Sequence, residues 1–141
     1  VEMNTKDEVA RIMETKTEIA LAKSVNNVCN VRIVNFFYDE ISQILFFATF
    51  GDNNKVKEFE QNSNVAFATI PHNGYEHVKA QGRVSKSPRS VFDLEEAFVS
   101  KIPDYKDTIE QVGQLLVLFE VKFDTATVTL DLENIDTIAL V

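Results

Sequence analysis

Phe46-Phe47-Ala48-Thr49-Phe50-Gly51-Asp52-Asn53-Asn54-Lys55-Val56-Lys57-Glu58-Phe59 reads as a strand, a tight turn and the opening of a helix. Ile44 to Phe50 is apolar, aromatic and β-branched between polar flanks, the pattern of a buried strand. Gly51, Asp52 and Asn53 are turn formers: Gly accepts positive φ, and Asp and Asn bond to nearby backbone. Val56 and Phe59, three apart, give a short helix one apolar stripe, and Asn53 or Asn54 is a natural N-cap. The first turn of that helix presents unpaired N–H groups and a positive dipole end, with Lys55 among them. Such a turn can cradle a phosphate. On local features alone, the plainer reading is a capped helix with Lys55 solvated.

Working upstream, Asp39 to Gln43 is a hairpin turn, and Val31 to Tyr38 is a strand carrying Arg32 and Asn35 in an apolar run. A charge placed there must find a partner or reach solvent. Ser24 to Asn27 is turn material after a short strand, Thr17 to Ala22. Thr5-x-x-Glu8 resembles a capping box, and Val9, Ile12 and Met13 follow at helical spacing over residues 5–14.

Downstream, a helix over about 54–62 leads to a strand from Val65 to Ile70, stopped by Pro71. Asn73-Gly74 signals a hairpin. Glu76 to Lys86 alternates, with Val78, Ala80, Gly82 and Val84 against His77, Lys79, Gln81 and Arg83. Gly82 inside this strand implies a bulge or a close approach by another backbone or a ligand. Ser87-Pro88 is expected to open a helix, a second helical piece covers 105–112, and Gly113 is expected to stop it. Leu115 to Phe123, Thr125 to Leu132 and the short terminal run Ile135 to Val141 complete the strands. The fold class is therefore mainly β with inserted helices: a six- to seven-stranded antiparallel barrel forming a single domain over 1–141.

Composition narrows the function classes. Hydrophobic residues make up 45% of 141, enough for one real core. The net charge of −8 argues against nucleic acid or an anionic membrane as partner. An anionic ligand would need a locally positive pocket, so the four arginines, Arg11, Arg32, Arg83 and Arg89, stand out. One cysteine, Cys29, excludes an internal disulfide and a thiolate zinc site, and no metal site is expected. The polar N-terminus is unlike a signal peptide and no apolar run has membrane-spanning length, so a cytoplasmic protein is expected.

Several segments together resemble the pyridoxamine 5′-phosphate oxidase-like family, which has an FMN-binding split-barrel fold. Arg32-Ile33-Val34 is similar to the Arg-x-Val at the flavin edge of the second strand. Phe47 to Lys55 resembles the aromatic-x-Thr strand and the Ser-Arg-Lys turn after it. Phe59-x-x-Asn62-x-Asn64-Val65 and His77-Val78-x-x-x-Gly82 are similar to the passages that follow. The likeness runs from about Thr17 to Ser87.

The resemblance implies FMN as cofactor. Arg32 and Lys55 would hold its phosphate, with Asn53 and Asn54 adding polar and backbone donors. Ile33, Val34, Ala48 and Thr49 would line the flavin, and His77 would stand near the ring where the family often has Gln. Asn54 replaces an arginine, leaving fewer charges for the phosphate. The vitamer oxidases carry a C-terminal Trp and an Arg-rich segment; this sequence has no Trp and no Arg beyond Arg89, so oxidation of pyridoxamine phosphate is not expected. The reading that follows is a flavin-dependent oxidoreductase acting with a small-molecule substrate or electron donor; no catalytic residue is identified. The alternative is a non-catalytic dimeric module that binds flavin or a related cofactor such as a deazaflavin or haem.

A homodimer with the flavin at the subunit interface is expected on two grounds. The resemblance implies it, and the aromatic runs suggest it. Phe36-Phe37 and Phe46-Phe47 send aromatics to both faces of their strands, so the outward set, with Phe50, needs a second cover. A helix at about 88–101 of the same chain is the other candidate cover.

Overall fold

The computed structural model describes residues 3–51 and 53–140, with the backbone alone for 53–55. Helix α1 (Thr5–Thr15) precedes a tight hairpin, β1 (Glu18–Val25) and β2 (Val28–Asn35). Asn4, rather than Thr5, caps α1: its side chain accepts from the Asp7 N–H at 3.2 Å. The hairpin turns at Asn26 and Asn27, with φ of 52° and 66°. Two consecutive left-handed residues make the turn whose twist matches paired strands, and Asn is among the few side chains that tolerate it.

The expected strand 31–38 is broken at Phe36 into β2 and β3 (Phe37–Asp39). The break has a physical cause. β2 pairs with β1, whereas β3 pairs with β4 (Ile44–Phe50), so the chain changes neighbours there. Phe36 turns its N–H to the Thr17 carbonyl at 3.1 Å and buries its ring fully.

Helix α2 (Asn53–Gln61) leads into β5 (Asn64–Thr69) and β6 (His77–Lys86). Pro88 does not open a helix. Residues 88–94 form turns in which the Ser90 N–H donates to Asp93 at 2.8 Å, and α3 (Glu95–Lys101) starts later. Helix α4 (Tyr105–Val112) runs on through Gly113, whose φ of −53° is helical, into a short 3-10 turn. Strands β7 (Leu116–Lys122), β8 (Thr125–Thr129) and β9 (Ile135–Ala139) finish the chain.

All pairings are antiparallel, in the order β2-β1-β5-β6-β7-β4-β3, with β8 on β6 and β9 on β8. β6 forks: His77–Lys79 pair with β8 and Arg83–Lys86 with β7. Gly82 sits at the fork. A Cβ there would lie 2.6 Å from the Lys122 carbonyl oxygen and 3.0 Å from a Val121 methyl, so the close approach expected of this glycine is by the β7 backbone. The ring of strands closes through the covalent link at Phe36. Past it, β2 and the far half of β4 lie side by side without paired backbone, leaving an open seam. The result is a split barrel.

The interior holds Ile19, Leu21, Leu45, Phe47, Phe67, Phe119 and Val121, with α1 supplying Val9, Ile12 and Met13. Phe59 of α2 packs edge-on to Phe47 and Phe119, at centroid distances of 6.4 and 5.0 Å. The opposite face of β4 is covered by the chain itself: Phe46 and Leu118 pack with Leu94, Phe98, Tyr105 and Ile109, and Phe37 joins them. The outward aromatics therefore supply no reason for a dimer, because the segment around α3 covers Phe37 and Phe46; Phe50 stays 53% exposed. No described helix is long and apolar enough to cross a membrane.

Candidate functional site

Two surfaces meet at β2, and the alternation of that strand assigns residues to each. Ile33 and Val31 are 55% and 69% exposed, while Val34 packs against the core. Arg32 thus shares the inward face with Val34, opposite buried Leu21 in the register. It is partly buried and makes no hydrogen bond or ion pair among the described residues. On β4, Leu45 and Phe47 point into the barrel, so Thr49 does too, next to the seam. Carrying the β3–β4 register past Phe36 brings Arg32 level with Gly51, just before α2. The structure therefore gathers Arg32, Val34, Thr49 and the start of α2 around one end of the seam. The side chains of Asn53, Asn54 and Lys55 lie outside the described residues.

Ala48 faces the other way, beside Phe46 in the helix-covered layer. His77 is also apart from Arg32. It lies on the outer sheet face, in the set that includes Ile33. Ile33, Ala20, Ala68, Lys79 and Thr127 form one cross-strand row, as do Val31, Ala22, Ala66 and Gln81 in the next. With strands about 4.8 Å apart, β2 and β6 are separated by about 14 Å. Within one chain, Arg32 and His77 thus address different faces.

The outer face was not singled out from the sequence as a site. Its centre is a shallow depression of about 530 Å³ floored by Ala20, Ala22, Ala66 and Ala68 and edged by Lys79, Gln81 and Thr127. Small side chains in two adjoining strands leave room for a flat body to lie close to the backbone. The signal was present in Ile19-Ala20-Leu21-Ala22 and Val65-Ala66-Phe67-Ala68, where alternation puts every alanine on one side. His77 Nδ1 donates to the Tyr75 carbonyl at 2.7 Å, so in the neutral ring the proton sits on Nδ1.

Lys23 is a second residue that sequence reasoning missed. It is only 8% exposed, lies on the inward face of β1, and is ion-paired with Glu58 of α2. Its ammonium also stands 4.8 Å from the centre of the Phe59 ring. Asn62, just after α2, donates to the Ser24 carbonyl at 2.9 Å. Among the described residues, no group of three or more His, Cys, Asp or Glu side chains could hold a metal ion.

A family model described as pyridoxamine 5′-phosphate oxidase-like matches residues 12–135. The chain belongs to this family. Solved structures agree on the fold. General stress protein 26 from Bacillus anthracis superposes with a TM-score of 0.72 at 16% identity, covering 96% of this chain and 98% of its own. A FAD-binding protein from Mesorhizobium loti gives 0.65 at 13% identity, covering 86% and 90%. A heme binding protein from Mycobacterium smegmatis gives 0.77 at 9% identity; it covers 99% of this chain, which spans 59% of that longer protein. No curated protein matches the sequence. At these identities the superpositions speak for the fold, and the family assignment rests on the match to residues 12–135.

Proposed function

We propose that this family member binds flavin mononucleotide between two copies of the chain and serves as a flavin-dependent oxidoreductase for a small molecule. One observation carries the reading: a guanidinium, Arg32, stands partly buried at the open seam, level with the start of α2, and has no hydrogen-bond or ion-pair partner among the described residues. A charge so placed calls for an anion. A phosphate monoester carries close to two negative charges at neutral pH, and a helix start with Arg32 and Lys55 offers matching donors. A bound flavin would supply the electron transfer; the chain's residues would hold the phosphate and position the ring.

The separation of Arg32 from His77 supports the dimeric part. A second copy laid on the outer face would cover exposed Val31, Ile33 and the alanine floor, and could present its own His77 to a ligand anchored at Arg32. Such a patch is the kind that a symmetric partner covers. His77 also favours a second reading, a non-catalytic module holding haem, because a neutral ring with its proton on Nδ1 leaves Nε2 able to ligate iron. Releasing the bound small molecule from native protein and weighing it distinguishes the two. FMN mass with flavin absorbance, bleached by a nicotinamide donor, is the expected result. A haem mass overturns the first reading. For the phosphate, each charged hydrogen bond contributes about 1.5–3 kcal/mol. Lys55→Ala and Arg32→Ala should each weaken FMN binding about tenfold to a hundredfold; unaltered affinity in both refutes the site.

A further inference from the structure

The seam leaves the two halves of the anion site on separate pieces of backbone. Arg32 belongs to the β1–β2 hairpin, and the start of α2 follows β4. No β2–β4 backbone pairing holds these pieces together. α2 is instead tied to the hairpin by side chains: Glu58 to Lys23, and Asn62 to the Ser24 carbonyl, on consecutive hairpin residues. The apolar anchor, Phe59 against Phe47 and Phe119 with Val56 one turn away, fixes how deeply α2 sits and acts as its pivot. A second fixed point is needed to set the rotation of the helix about that pivot.

We propose that the Lys23–Glu58 pair is a strap that closes the split barrel across its seam and positions the first turn of α2 beside Arg32 for a phosphate. Lys23 acts here as a positioning residue. Its ammonium is held by the Glu58 carboxylate and the face of Phe59, both on α2, and so is committed to the helix. Lys23 is buried while Glu58 keeps 39% of its side chain exposed, so losing the carboxylate is the costly break: it leaves a buried ammonium without its partner. That cost makes the geometry stiff, and stiffness at a binding group raises affinity by limiting what must be ordered when the ligand arrives. The assignment rests on the flavin reading above and adds a phosphate-specific device to it.

The test compares FMN with riboflavin, which lacks the phosphate, by fluorescence titration of the full chain. Wild type should prefer FMN; binding of neither would refute the flavin reading itself. Glu58→Gln and Lys23→Gln should each lower the FMN-over-riboflavin preference at least tenfold, with riboflavin affinity held within threefold. The reversed pair, Lys23→Glu with Glu58→Lys, retains a tie across the same gap. It should recover at least half of the lost preference on a logarithmic scale, and it tests the strap even where a single variant does not fold. Single variants that keep the preference within threefold overturn the strap while leaving flavin binding intact. So does a Glu58→Gln variant that gains FMN affinity, which would make Lys23 a direct ligand held back by Glu58. A reversed pair that folds without recovering the preference also overturns it.

Discussion

Gly82 offers the sharpest test of the fold. Replacing it with alanine puts a methyl 2.6 Å from the Lys122 carbonyl oxygen, 3.0 Å from Val121 Cγ1 and 3.3 Å from Phe123 Cβ. The nearest obstacle is backbone, and it cannot retreat freely because Lys122 is paired with both Arg83 and Ile44. Overpacking of this kind costs about 1–3 kcal/mol. Each ladder bond stretched to make room costs about another 0.5–1.5 kcal/mol. Against this, alanine restricts the unfolded chain and returns about 0.4–1 kcal/mol. The balance is about 0.5–4 kcal/mol of destabilisation, or a fall in Tm of about 1–16 °C for a chain of this size. Gly82→Val should be worse. Gly74 provides the contrast: a Cβ there meets nothing within 4 Å, but φ is +74°, so its alanine variant is strained by conformation alone. Thermal melts followed by circular dichroism measure all three. Gly82→Val melting within 1 °C of wild type would refute the close approach of the β7 backbone at Gly82.

The dimer proposal predicts a mass near twice 16 kDa by light scattering at low micromolar concentration, and an interface above about 2,000 Å² if the dimer is obligate. Ile33→Glu should shift the protein to monomer and release flavin; a wild-type mass near 16 kDa with flavin bound would show that one chain suffices. Lys101 predicts a pH dependence. Its ammonium donates to the Met13 and Phe36 carbonyls at 3.0 and 3.1 Å over the Phe36 ring. Burial lowers its pKa from 10.5 to about 7, with Glu14 pulling the other way. Between those values the unfolded chain holds more protons than the native one, so this group adds stability as pH rises from 7 towards 10. Wild type should gain Tm relative to Lys101→Met over pH 7–9; a constant difference would refute the shift.

Much of this molecule was legible from alternation and turn chemistry. Asn26 and Asn27 make the turn expected within Ser24 to Asn27, although Ser24 and Val25 belong to the strand; Gly82 signalled a close approach, and a helix follows Gly51 as expected. Three features were hidden because their causes lie far along the chain. The break at Phe36 carries no Gly or Pro; it exists because β2 and β3 serve different partners. Pro88 looked like a helix start, yet Ser87 is committed elsewhere: its Oγ donates to Glu120 at 2.7 Å and accepts from the Arg89 N–H at 3.1 Å. Lys23 lies just past the expected strand, Thr17 to Ala22, and only Glu58, 35 residues on, explains its burial. For the site, the sequence reading places Arg32, Ile33 and Val34 around one flavin, and the β1–β2 register sends Ile33 to the opposite face. That Ala48 faces the helices followed from where α3 and α4 pack, which no local pattern encodes.

The fork in β6 also governs how the barrel comes apart. One strand is paired to β5 from Lys79 to Arg83, and on its other side to β8 at one end and β7 at the other. Neither arm can fray without loosening a strand that the other needs. The two arms should therefore exchange their amide hydrogens in a single cooperative opening, with the protected amides of β6 among the slowest in the molecule. By contrast, β9 is bonded on one side only and should exchange early, so the molecule should open from its last strand inward towards the fork.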